Sequence, residues 1–370
     1  MRIALFSEVF PPKLDGITTR LAATLPELSR LGHEVTVFAP RNAGDFSGVR
    51  VVRVPSLPFR PYPGLEAGLP DPRITARLAW LRPDVVHAVG PVCLGAWGVL
   101  AARALRIPLV ASFHTDLLRY VSGYRLGFAS GALAAWLRML HGLADVNLCP
   151  STATRHELLG QGVPRVGLWR GGVDSERFHP SKRSLAMRQR LSDGHPDQPL
   201  LLYVGRLARE KGIESLAWLM DALPDARLAL VGDGPDRRRL ERVFTRLPVH
   251  FAGFLAGDEL AAAFASADVF VMPSTTETLG FVALEAMASG VPVVAANAGG
   301  LRDVVRDGEN GLLYDPGPRR GALAPIQRLF ASRGLARELA RMGRKTAENA
   351  SWEAETLRLL AAYEQARSRR

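Results

Sequence analysis

Cysteine is nearly absent: Cys93 and Cys149 are the only two in 370 residues, and both sit in apolar contexts. That scarcity excludes a disulfide framework and fits a reducing compartment. No apolar run reaches the roughly 18 residues that would span a bilayer, so no membrane-crossing helix is expected. The opening Met1–Phe6, MRIALF, leads straight into a strand pattern and does not read as a signal peptide. Gly232-Asp233-Gly234 lacks the third, properly spaced glycine of a dinucleotide fingerprint.

What is present points to an ordinary soluble composition, with 47% hydrophobic and 22% charged residues. A chain of this length exceeds one hydrophobic core, so two domains are expected. The formal charge of +11 is uneven. Residues 1–173 carry 19 Lys/Arg against 11 Asp/Glu, residues 174–350 carry 24 against 22, and the last twenty carry 4 against 3. A basic N-terminal half attracts phosphates, nucleic acid or an anionic membrane surface; an Arg-rich solvated face is the plainer account.

The most informative stretch is VMPSTTETLGFVALEAMASGVPVVAA, residues 271–296. It reads as the end of a buried strand, a polar loop through Ser274, Thr275 and Thr276, a helix opening near Leu279 or Gly280 and closing at Gly290, and a second strand: a βαβ crossover. Glu277 precedes the helix and Glu285 lies within it, at most ~12 Å apart if all between is helical. Between them the amides of Leu279, Gly280 and Phe281 favour an anion. Hydroxyl-rich rings want acceptors and phosphates want donors, so carboxylate, amides, carboxylate suits a sugar, a diphosphate and a ribose. A solvated Glu before a helix and an amphipathic helix Glu remain an equal alternative on these residues alone.

Glu277 and Glu285 with seven residues between them, then Ala286-Met287-Ala288 and Gly290-Val291-Pro292-Val293-Val294, resemble the E-x7-E signature of retaining GT-B glycosyltransferases of the GT4 type. The resemblance covers nearly the whole chain. It implies an α/β protein of two Rossmann-like domains facing a cleft, residues 1–173 with 351–370 on the acceptor side and 174–350 binding the donor, the last helix crossing back to the first domain.

Individual positions carry the resemblance. After the first strand, Asp15-Gly16-Ile17 precedes a helix, about Thr18 to Leu31, and Gly16 lets amides approach a ligand; family members carry a glycine loop here facing donor diphosphate and acceptor. Phe113-His114-Thr115 matches a motif that puts the histidine against the donor sugar, and Asp116 and Asp15 would lie near the acceptor. Helix capping accounts equally well for Asp116. Gly205-Arg206 and Glu210-Lys211-Gly212 follow a strand, so two cations converge on a diphosphate, as the family's pair does. By the same resemblance Gly232 lies on the nucleotide side, Gly253 and Phe254 hold the base, and Thr278, Leu279 and Gly280 line the donor. Gly299-Gly300-Leu301 continues the pattern. Residues 53–72, rich in proline and glycine, read as an irregular loop with Phe59, Arg60 and Tyr62 on the acceptor side, and 181–198 as an exposed excursion. The helix bearing Trp136, Leu137, Leu140 and Leu143 fits a core or a membrane surface.

The implied reaction transfers a hexose of mannose or glucose type, with retention, from a GDP- or UDP-linked sugar used as co-substrate; no cofactor is expected. No Asp-x-Asp triplet occurs, so no metal is expected, and Arg206 and Lys211 stabilise the leaving charge. Glu277 and His114 would hold the hexose and Glu285 the ribose, with domain closure excluding water. SEVFPPKLDGITTRL, FHTD and WRGGVD resemble lipid-directed hexosyl- and mannosyltransferases, so a diacylglycerol-type acceptor at the inner membrane face, a cytoplasmic and peripheral location, and no nucleic-acid partner are expected. A soluble or oligosaccharide acceptor is the alternative. A nucleotide-sugar epimerase and a non-catalytic nucleotide-sugar binding module are the readings from other classes.

Overall fold

The computed structural model describes residues 1–13, 15–58, 66–69, 71–114, 130–317 and 321–370. The chain divides into two compact units, Met1–Gly171 with Trp352–Arg370, and Gly172–Ser351. Each is a parallel sheet flanked by helices, the arrangement that alternating apolar runs and amphipathic segments impose.

In the first unit the strands are β1 (Arg2–Ser7), β2 (Glu34–Pro40), β3 (Arg50–Val54), β6 (Val85–Val89), β7 (Leu109–Ser112), β8 (Val146–Cys149) and β9 (Val166–Leu168), with the short β4 (Ser56–Pro58) and β5 (Glu66–Gly68) outside the sheet. The sheet order is β3-β2-β1-β6-β7-β8-β9, all parallel. Fully buried strands read as continuous apolar runs, as Ile3–Phe6 and Leu109–Ala111 do at 1% exposure or less. Order reverses between β1 and β6, and in open sheets the crevice beyond the strand ends at such a reversal is where ligands bind. The helix Trp352–Ser368 belongs to this unit and packs on helix Gly16–Arg30 and on β6, β7 and β8, burying Leu359 and Tyr363.

The second unit contains β10 (Leu200–Val204), β11 (Arg227–Val231), β12 (Val249–Gly253), β13 (Val269–Met272), β14 (Val293–Ala296) and β15 (Leu312–Tyr314), ordered β12-β11-β10-β13-β14-β15 and parallel throughout. Its reversal lies between β10 and β13. Both strands end in the loops that the sequence marks for chemistry, 205–212 and 273–280.

One expectation is corrected and another is filled in. The stretch 53–72 is not wholly irregular: β4 and β5 pair antiparallel, Ser56 with Gly68 and Pro58 with Glu66, and the Ser56 hydroxyl donates to the Glu66 carboxylate. Proline at a ribbon end leaves no ladder donor missing, so the prolines concealed a ribbon. Phe59, Arg60 and Tyr62 lie outside the described residues, as do Asp116 and the segment 115–129. The segment 181–198 is exposed at most of its positions, as expected, but is anchored at a few. Leu185–Leu191 is a helix with Leu191 fully buried and Arg188 only 8% exposed. The Arg188 guanidinium donates to the carbonyls of Pro196, Ser266 and Gln198 and to Asp268 Oδ2 at 2.5–2.9 Å, which is how an arginine comes to be buried.

The helix Ser130–Leu143 divides its face. Leu137 and Leu140 are buried, whereas Trp136 and Met139 are 38% and 45% exposed, with Arg138 exposed beside them. Among the described residues no helix is long and apolar enough to cross a membrane.

Candidate functional site

The second unit gathers most of the marked residues at the reversal between β10 and β13. β10 ends in Gly205-Arg206, and a short turn, Arg209–Lys211, closes on Gly212 in the left-handed region. β13 ends in the loop to Glu277, and the next helix, Phe281–Ala288, starts after Gly280 at φ +97° with no side chain capping it. Lys211 Nζ lies 2.5 Å from Glu277 Oε1, and both side chains are largely shielded, 20% and 14% exposed. Arg206 pairs with Glu210, and the Thr276 hydroxyl donates to the Glu210 carbonyl at 3.1 Å, tying the two loops together. Both cations therefore carry carboxylate partners. Glu210 was not singled out from the sequence; its i, i+4 spacing from Arg206 was the available signal.

Glycine fixes the Glu277 loop. Gly299 has φ +54°, and a Cβ there would stand 2.5 Å from the Glu277 carbonyl, which in turn accepts the Gly300 amide at 2.8 Å. Any side chain at 299 displaces that carbonyl, and with it the carboxylate. Gly232 serves a similar end rather than offering its amide: a Cβ would meet the Gly205 carbonyl at 2.0 Å, and its N–H already donates to the Gly253 carbonyl at 2.8 Å. Close packing between the two loops takes up that N–H. Thr278 is half-buried and Leu279 buried, their carbonyl side covered by Gly300. Beyond β12, Gly253 adopts φ +74° and Phe254 is 59% exposed, an open aromatic face.

Glu285 lies within the helix Phe281–Ala288. Its side chain is half-buried with no cation paired to it among the described residues, and burial pushes its carboxyl up to about 7. Among the described residues no group of three or more His, Cys, Asp or Glu converges as metal ligands would.

In the first unit, Asp15 is the N-cap of helix Gly16–Arg30. Its Oδ1 accepts the amides of Ile17 and Thr18 at 3.0 and 2.9 Å, completing a capping box with Thr18, and its Oδ2 faces Lys13 at 3.6 Å. The expectation that amides at Gly16 open toward a ligand is corrected for these two, which the chain's own carboxylate holds. A second carboxylate does likewise where β1 and β6 diverge. Glu8 is buried, accepts the Cys93 amide at the start of helix Leu94–Ala104, and has its carboxyl pushed up to about 7 by that burial, against the pull of the neighbouring amides of Gly95, Val92 and Leu94. Glu8 was missed because its amide partner lies 85 residues away in sequence.

His114 follows β7. It is 9% exposed, its Nε2 lies 2.8 Å from Ser112 Oγ, and its ring meets Trp169 edge-on at 5.4 Å. Burial, and then the charge of Arg20, hold it neutral. Arg20 lies 4.6 Å over the Trp169 ring and donates to the carbonyls of Trp169 and Arg170.

Comparison with known proteins places these features in a family. The model of "Glycosyl transferases group 1" matches residues 188–346 and that of "Glycosyltransferase Family 4" residues 14–177. A GDP-mannose-dependent alpha-mannosyltransferase of Mycolicibacterium smegmatis is 44% identical over 343 residues, covering 90% of each chain. The sulfoquinovosyl transferase of Arabidopsis thaliana is 39% identical over 97% of this chain and 72% of that one. A GDP-mannose-dependent alpha-(1-6)-phosphatidylinositol monomannoside mannosyltransferase of Mycolicibacterium smegmatis is 35% identical over 84% of each. Among solved structures, sucrose-phosphate synthase from Thermosynechococcus elongatus superposes with a TM-score of 0.82 over 100% of both chains at 24% identity, which shows the shared GT-B fold.

Proposed function

The chain belongs to the glycosyl transferases of group 1, family 4, and from that premise we propose that it moves a hexose, mannose first, from a GDP-linked donor to a lipid acceptor of the diacylglycerol or glycolipid kind, retaining the anomeric configuration. The observation that carries the reading is the meeting of Lys211 and Glu277 at 2.5 Å on the reversal of the second sheet. A carboxylate there accepts hexose hydroxyls, while the ammonium beside it stands where a diphosphate needs charge. When the donor enters, Lys211 and Arg206 exchange carboxylate partners for phosphate oxygens, and Glu277 turns to the sugar. The C1–O bond to the β-phosphate breaks as the acceptor oxygen bonds to C1 on the same face, and the acceptor proton passes to the departing phosphate oxygen. Without a metal, the two cations carry the charge that develops.

Mannose and GDP rank first because two of the relatives described are named for GDP-mannose, and the lipid acceptor because one of them is named for phosphatidylinositol monomannoside. The outward face of helix Ser130–Leu143, with Trp136, Met139 and Arg138 exposed and no acidic residue from Leu117 to Ala144, supports an anionic lipid surface as the place of reaction. A thermal-shift series against GDP, UDP and ADP tests the donor. At a hundred times its dissociation constant the true nucleotide adds about 2.7 kcal/mol of stability. GDP is expected to raise the midpoint most; a larger rise with UDP sinks the GDP assignment. Flotation with anionic vesicles tests the surface: salt-sensitive binding weakened by Trp136→Ser is expected, and no binding favours a soluble acceptor.

A further inference from the structure

A chain of four buried side chains runs through the first unit and ends on His114. Tyr363 Oη lies 2.8 Å from His87 Nδ1, His87 Nε2 lies 2.8 Å from Ser112 Oγ, and Ser112 Oγ lies 2.8 Å from His114 Nε2. Tyr363, His87 and Ser112 are fully buried. Their order in space crosses the sequence: the tyrosine comes from the last helix, the others from β6, β7 and the turn after it.

Proton counting fixes the direction of this chain. Ser112 has one hydroxyl hydrogen and meets an imidazole nitrogen on each side, so it donates to one ring and accepts from the other. The two histidines therefore hold opposite tautomers at Nε2. Tyr363 decides which: His87 is its only hydrogen-bond partner among the described residues, so its hydrogen has nowhere to go but His87 Nδ1. The reverse direction would bury a phenolic hydrogen without an acceptor. His87 then carries its proton on Nε2 and donates to Ser112, and Ser112 donates to His114 Nε2.

We infer that Tyr363, His87 and Ser112 are positioning residues that hold His114 in the tautomer with its proton on Nδ1, so that it meets its substrate as a neutral hydrogen-bond donor and not as a base. Nδ1 has no hydrogen-bond partner among the described residues, so it is the ring atom left for a further partner. Neutrality has the same source in both rings. Burial and the nearby Arg20 charge pull His87 down to about 3 and His114 well below its usual range, with His87 and His141 adding to the effect on His114. The Trp169 ring packs 5.4 Å from both imidazoles, edge-on to His114 and tilted by 58° to His87. A donor N–H fits an oxygen acceptor, such as a sugar hydroxyl. The substrate half of this inference rests on the function proposed above; the tautomer does not.

Long-range proton–nitrogen NMR on the full chain labelled with ¹⁵N-histidine separates the two halves, with His87→Gln and His114→Gln used for assignment. The unaltered protein at neutral pH is expected to show His114 protonated on Nδ1 and His87 on Nε2. A His114 protonated on Nε2 overturns the inference whatever the catalytic result. Ser112→Ala is expected to let His114 revert to the Nε2–H form that free histidine prefers and to lower kcat/KM for the sugar donor about tenfold. Ser112→Thr, which keeps the hydroxyl, restores both. The Nδ1–H signal together with unchanged turnover in Ser112→Ala leaves the tautomer standing and overturns the role toward substrate.

Discussion

Glu277→Gln is expected to lower hexosyl transfer by about a thousandfold or more while changing the unfolding free energy by no more than about 1 kcal/mol. The amide keeps the shape of the side chain but loses the charge, and with it the hold on sugar hydroxyls and the partner of Lys211. Lys211→Ala should be equally inactive for a different reason, the loss of charge against the leaving phosphate. Its stability should differ too. The pair is largely shielded, 20% and 14% exposed, so removing the ammonium strands the Glu277 carboxylate and costs roughly 1–3 kcal/mol. The double variant Lys211→Met with Glu277→Gln removes both charges and should recover most of that stability with none of the transfer. Chemical denaturation of the three variants beside a donor-consumption assay makes the comparison. Transfer that survives Glu277→Gln, or a double variant no more stable than Lys211→Ala, would mean that the pair holds the fold and not the donor.

That prediction leans on what the sequence shows readily and on what it conceals. The two sheets were legible because fully buried parallel strands are written as apolar runs, and the marked loops fell at strand ends because turn glycines and prolines interrupt those runs. What stayed hidden depends on pairing at long range. Nothing in EKG says that its lysine meets a glutamate 66 positions later, and no local pattern links Tyr363 to His87 across 276. Arg188 and Glu8 were hidden for a related reason: charged residues read as solvated until the carbonyls and amides that satisfy them are folded around them. At Gly232 the missing Cβ admits the carbonyl of Gly205, a close approach between two loops that no local pattern announces.

Glu285 should make nucleotide affinity and stability respond to pH in opposite senses. Burial raises its carboxyl from 4.5 to about 7, and no cation among the described residues offsets the cost. Between those values the folded chain keeps a proton that the unfolded chain has released, so its contribution to stability falls as pH rises through about 7 and is constant beyond. Glu285→Gln abolishes that fall. The variant should match the parent near pH 4.5 and exceed it by roughly 3 kcal/mol at pH 8. Glu8, raised in the same direction, is common to both proteins and cancels in the difference. Binding runs the other way, because ribose hydroxyls donate and an ionised carboxylate accepts best. Calorimetric affinity for GDP should therefore strengthen as pH rises toward 7, beyond the change seen with the 2′,3′-dideoxy analogue, which shares the phosphate titration but offers no hydroxyls. In Glu285→Gln the two nucleotides should follow the same pH curve. A stabilised variant that binds GDP as the parent does would show that Glu285 carries its desolvation cost for something other than the ribose. A carboxylate half-buried with no counter-ion among the described residues carries a standing desolvation cost, and a hydroxyl-bearing ligand that satisfies it is the simplest reason for the fold to hold one there.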